Sequence, residues 1–83
     1  MRTTRYFEEQ VLRKRPYILR EWCERALADP VASVTQIDGR QRRWVKVRLP
    51  AEESDRFLRV VVLPDGETVH NAFLDRDFSK ARS

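Results

Sequence analysis

The sequence holds one cysteine, one histidine, one methionine and two glycines in 83 residues. The lone Cys23 has no internal disulfide partner, which fits a reducing, cytoplasmic setting. One Cys and one His do not build a zinc site without carboxylates, so neither metal nor cofactor is expected. Both glycines follow an aspartate, as Asp38–Gly39 and Asp65–Gly66, where they read as turn residues and not as a phosphate-cradling loop. Long apolar runs are also missing. The longest, Val60–Leu63, falls far short of the ~20 residues that span a bilayer, so no membrane association is expected. The first ten residues, MRTTRYFEEQ, lack the apolar stretch of a secretory signal. Repeats, low-complexity segments and linkers are absent. Nothing places a His beside Ser33, Ser54, Ser79 or Ser83, which argues against a serine nucleophile.

What remains is a small, charged, globular chain with 41% hydrophobic and 36% charged residues. A chain of this size buries only about 60–65% of its unfolded surface, so residues 1–83 form a single domain with a small core. Basic residues outnumber acidic ones by 17 to 13. The segment Arg40–Arg48, RQRRWVKVR, carries five positive charges and no acid. Such a surplus favours an anionic partner, either nucleic acid or an acidic protein.

Periodicity divides the chain. Tyr6–Arg15 is helical, with Phe7, Val11 and Leu12 apolar and a basic end at Arg13–Arg15 that suits a helix C-terminus. Pro16 breaks this helix and can open the next. There Ile18/Leu19, Trp22/Cys23 and Ala26/Leu27 recur at helical spacing until Asp29–Pro30. From Val31 the period becomes two. VASVTQI and RQRRWVKVRL read as a hairpin around Asp38–Gly39, and RFLRVVVL and ETVHNAFL as a second around Pro64–Gly66. The expected fold is α+β, with two N-terminal helices packed on a four-stranded antiparallel β-meander.

A two-residue Asp38–Gly39 loop sets Val34 opposite Arg43 and Ala32 opposite Val45. Ala32, Val34, Val45, Val47 and Leu49 then face the helices. Arg42, Trp44, Lys46 and Arg48, with Arg40 nearby, form an open basic face on which a ring can stack bases while cations meet phosphates. The bland alternative covers Trp44 with the stems of its arginine neighbours or with a partner. In the second hairpin, proline suits the second position of a type I turn with Gly66 left-handed. That geometry sets Val60 opposite His70 and puts His70 on the apolar face. A two-residue Asp65–Gly66 loop instead sets Val61 opposite His70 and brings Arg59 beside it. One residue of slip separates the two.

RKRPYILREWCERALADP, DGRQRRW and RFLRVVVLPDGETVHNAF together resemble the small RelE-like toxins of the barnase–colicin–RelE ribonuclease superfamily. The resemblance implies metal-independent cleavage of RNA, including ribosome-bound mRNA, neutralised by a small acidic antitoxin-like protein. It also implies a site built from Arg42, Arg43, Arg59 and His70, with Arg76 beyond them. Relatives place a His in the first helix, where this chain has Arg5–Tyr6–Phe7. Such chemistry needs the 2′-hydroxyl deprotonated, the phosphorane stabilised and the leaving oxygen protonated. Arginine serves the second task. His70, with Glu67, Asp75 or Tyr6, is the source of acid–base groups. Two alternatives stand beside this reading: a non-catalytic nucleic-acid-binding module, and a protein-interaction domain that meets an acidic partner. Free sheet edges also allow a homodimer.

Overall fold

Backbone pairing begins earlier than the residue pattern implies. In the computed structural model, which describes residues 1–78, Arg2–Thr3 forms a short strand, β1. It runs parallel to the last strand, with Arg2 opposite Thr68 and Thr3 opposite Val69. A π-helical turn, Phe7–Val11, follows and runs into the short helix α1, Leu12–Lys14. Then come α2 (Arg20–Ala28), β2 (Ala32–Thr35), β3 (Gln41–Val47), β4 (Arg56–Val62) and β5 (Thr68–Leu74). The sheet order is β1-β5-β4-β3-β2. The fold is α+β as expected, but the sheet is five-stranded and mixed, not a four-stranded antiparallel meander. β1 escapes sequence reading because two residues carry no periodicity. Ser79 and Ser83 lie outside the described residues.

The helical segments cover one sheet face. Phe7, Val11, Ile18, Trp22, Cys23 and Ala26 pack there against Val45, Val47, Leu58, Val60, Val62, Val69 and Ala72. Phe7 and Val11 are both essentially fully buried, and the wide π turn keeps residues four apart on one line. The second helix starts later than Pro16 suggests. Pro16 lies in a turn closed by the Ile18 N–H on the Arg15 carbonyl (3.1 Å), and Leu19 is extended before α2. Ile18 reaches the core from this link, whereas Leu19 is 44% exposed.

The first hairpin shows what a longer loop does to register. The Gly39 N–H closes on the Gln36 carbonyl (2.9 Å), and the Gln36 N–H bonds the Arg40 carbonyl (2.7 Å). Gly39 takes the left-handed conformation, φ +90°. This is a turn followed by a bulge, not a two-residue loop. Val34 therefore pairs with Arg42 and Ala32 with Trp44. That corrects the expected face of β2: Ala32 and Val34 share the side of Trp44, and Val34 is 50% exposed. β3 keeps its predicted faces, with Val45 and Val47 in the core.

Leu49–Glu52 forms a turn closed by the Glu52 N–H on the Leu49 carbonyl (3.2 Å). Pro50 fits its second position, and Ala51 holds the third at φ +68°. A left-handed conformation costs an L-residue roughly 1–2 kcal/mol. Glycine escapes that cost and loses part of the gain to its freer unfolded chain. Ala51→Gly is therefore expected to raise the unfolding free energy by about 0.5–1 kcal/mol in denaturant titration; a destabilised variant would contradict this turn.

Candidate functional site

His70 owes its position to a bulge. Pro64 occupies the second position of a turn in which the Gly66 N–H bonds the Leu63 carbonyl (2.9 Å), and Gly66 is left-handed at φ +74°. The proline argument holds to that point. Asp65 then gathers the Glu67 and Thr68 N–H groups on one carboxylate oxygen, at 2.9 Å each. Leu63 thus meets Thr68 in place of Glu67 (N–H to carbonyl 2.9 Å). Val62 pairs with Val69, Val61 pairs with Asn71, and His70 is the extra residue between them. The expected pairing of His70 with Val60 on the apolar face is corrected accordingly. Val69 and Ala72 enter the core, while the two residues between them are only half-buried.

β1 and the first helical turn complete the surroundings of His70. Its Nδ1 lies 2.9 Å from Thr4 Oγ1, and its ring stacks on Tyr6 with centroids 4.9 Å apart and planes 29° apart. Thr4 Oγ1 also accepts the Phe7 N–H (3.1 Å), which fixes the hydroxyl at the helix start. A hydroxyl oxygen has two lone pairs, so it can accept Nδ1–H as well. In that tautomer Nε2 carries a free lone pair and is available as a base. Burial, followed by the charge of Arg40, holds the His70 pKa below its ordinary 6.5. The imidazole is therefore neutral at physiological pH.

The other residues of the expected site do not gather around His70. Arg43 points to the helix face, donating to the Leu27 carbonyl (2.8 Å) and to Gln41 Oε1 (3.0 and 2.6 Å). A cation there satisfies an orphan carbonyl at the end of α2. Arg59 donates from Nε and from a terminal nitrogen to Asp75 Oδ2, at 3.0 and 2.9 Å. Arg76 is exposed and lines a groove with Asp55, Arg56, Phe57, Asp75 and Phe78. Lys46 and Arg48 both pair with Asp55 (3.8 and 2.9 Å), and Arg40 lies 3.9 Å from Asp38. Arg42 makes no ion pair among the described residues. Glu67 is exposed and lines a groove beside Met1 and Arg2.

Trp44 stands on the predicted face but is not bare. Only 6% of it is exposed, because Phe78 stacks on it with centroids 4.8 Å apart and planes 15° apart. Asp75 accepts its indole N–H (3.0 Å). Burial alone pushes the Asp75 carboxyl up; hydrogen bonds from Trp44 and Arg59, the Arg59 charge and the Asp77 N–H outweigh it, so the carboxyl ends below the ordinary range. An ionised carboxylate has no proton to give, and donors occupying both oxygens leave it no lone pair to take one, which removes Asp75 from the acid–base candidates. Sequence reasoning missed this covering layer; the alternation of Phe73 near the end of β5 with Asp75 and Asp77 past it was its only trace. Cys23 is buried in the core and its thiol is pushed up to about 12, chiefly by burial, so it is no nucleophile.

Among the described residues, no group of three or more His, Cys, Asp and Glu side chains is placed to hold a metal ion. Nor is any helix there long and apolar enough to cross a membrane. Comparison of the chain with models of protein families, with curated proteins and with solved structures finds no match.

The lowered His70 pKa has a signed consequence. As pH falls below 6.5, the unfolded chain takes up a proton before the folded one does. Stability is therefore full above that pH, declines as pH falls through the folded pKa, and levels off below it. Titration followed by NMR should give His70 a pKa under 6.5, and His70→Gln should abolish this part of the decline. A His70 pKa at or above 6.5 would contradict the described environment.

Proposed function

We propose that the domain is a RelE-like, metal-independent endoribonuclease of a toxin–antitoxin pair, acting on RNA at His70. The observation that carries the proposal is the Thr4–His70–Tyr6 arrangement, with ring nitrogen and hydroxyl 2.9 Å apart and the two rings stacked at 4.9 Å. It gives a neutral imidazole one oriented nitrogen and one free nitrogen, which is what a general base needs. Nε2 takes the 2′-hydroxyl proton, the 2′-oxygen bonds to phosphorus, and the bond from phosphorus to the 5′-oxygen breaks. That oxygen receives its proton from the Tyr6 hydroxyl. The products end in a 2′,3′-cyclic phosphate and a 5′-hydroxyl. Arg40, whose charge reaches His70, and Arg42, which pairs with Val61 across from Asn71, meet the phosphate oxygens. Helices confined to one face of a small sheet agree with the RelE-like fold that the resemblance implies.

One observation favours a second reading. Arg43 and Arg59 are both engaged in internal bonds, as suits a non-catalytic domain whose remaining cations meet a small acidic protein. The two readings part on expression and cleavage. The endoribonuclease arrests growth and cuts RNA in the presence of ribosomes, and His70→Gln slows cleavage about 100- to 10,000-fold while the fold persists. An intact protein that neither arrests growth nor cuts RNA, yet forms a stoichiometric complex with an acidic partner, would overturn the first reading in favour of the second.

A further inference from the structure

The face of the sheet away from the helices carries a closed aromatic nest. The Arg59 guanidinium lies 5.7 Å from the Trp44 ring centroid and 4.9 Å from that of Phe73. Phe78 covers Trp44 and meets Phe57 edge-on at 5.0 Å. Asp75 joins the parts. Its Oδ2 accepts from Trp44 and twice from Arg59. Its Oδ1 accepts the backbone N–H groups of Asp77 (3.0 Å) and Phe78 (3.2 Å). This second pair curls the chain so that the Phe78 ring falls on the indole.

A flat ring parallel to a tryptophan, with an anion on the fork of an adjacent arginine, is the chemistry of a bound nucleotide. We propose that Trp44 and Arg59 form a nucleotide subsite for single-stranded RNA, closed by the chain's own Asp75 and Phe78. The carboxylate stands where a phosphate would sit and the phenyl ring where a base would stack. RNA opens the subsite by replacing each contact in kind: phosphate for carboxylate on Arg59 and on the indole N–H, base for phenyl on the Trp44 ring. Neither the arginine nor the indole is then left unpartnered, so the exchange avoids the penalty of an orphaned charge. The groove of about 470 Å³ lined by Asp55, Arg56, Phe57, Asp75, Arg76 and Phe78 adjoins the nest; Arg56 is held by Glu52 (3.2 Å), so Arg76 is the cation it offers to a flanking phosphate. The subsite rests on the reading of RNA as ligand, but its residues are separate from Thr4, Tyr6 and His70.

A purely structural cap makes a different prediction from a displaceable one. The full-length Asp75→Asn/Phe78→Ala variant is compared with the wild type for binding of a fluorescent oligouridylate at low salt. Stacking of a base on an accessible ring is worth roughly tenfold in affinity. The opened variant should bind about tenfold tighter or better, and adding Trp44→Leu should cancel the gain. His70→Ala should leave the gain intact. An opened variant that unfolds cooperatively yet binds no tighter would overturn the proposal, as would a gain that survives Trp44→Leu. If the double variant does not fold, Phe78→Ala alone decides by the same comparison, with the Asp75 bonds to Arg59 retained. His70-dependent cleavage without any gain on opening removes the subsite alone; absence of RNA binding in every protein removes the endoribonuclease reading too.

Discussion

One carboxylate holds the outer face of this domain together. Asp75, its side chain only 6% exposed, collects donors from an indole, a guanidinium and two backbone amides. The core formed by the helices reaches only one side of the sheet. Without a second covering layer, Trp44, Phe57 and Phe73 would face water across β3, β4 and β5. The residues from Asp75 to Phe78 supply that layer at little cost in chain length, because a single charged group fixes their path. The charge is tolerable in its buried site because every lone pair has a donor and Arg59 supplies the opposite sign.

Internal bonds of this kind change what the basic composition means. A surplus of arginine suggests a broad polyanion-binding surface, yet several of these side chains are engaged within the fold. Arg43 caps the end of α2, Arg59 holds Asp75, and Arg25 donates to the Lys46 carbonyl (2.6 Å) on the edge of β3 that β2 does not reach. Lys46 and Arg48 share Asp55. Among the described residues of the sheet and its loops, the cations left for a ligand are chiefly Arg40 and Arg42 near one end and Arg76 near the other; Arg2 and the Arg13–Arg15 run at the end of α1 also make no ion pair there. His70 belongs with the first group, and the Trp44 nest lies toward the second.

The core was largely legible in the sequence, because helical and strand periodicities are imposed by burial itself. Trp22, Cys23 and Ala26 on the helix, and Val45, Leu58, Val60 and Val62 on the strands, all lie where their spacing places them. The faces of β2 and of His70 were not legible, since each depends on a single residue in a turn. Gly39 takes part in a longer loop than Asp-Gly usually makes, which shifts Val34 from Arg43 to Arg42. Asp65 extends the second turn by holding the Thr68 amide, and the strand recovers its register only by extruding His70. Period-two patterns say which residues alternate, but the turns decide which way. Nor could spacing reveal that Phe78 returns to Trp44, a contact set by the hydrogen bonds of Asp75 and not by any repeat.

The dependence of the outer face on that carboxylate can be measured by a double-mutant cycle on stability, using Arg59→Met and Asp75→Asn singly and together. Groups in one hydrogen-bonded network couple by about 0.5–3 kcal/mol, and two bonds from Arg59 to one buried carboxylate oxygen place this pair in the upper half of that range. A coupling energy indistinguishable from zero would show that Asp75 and Arg59 do not hold the face closed, and the account built on them would fail.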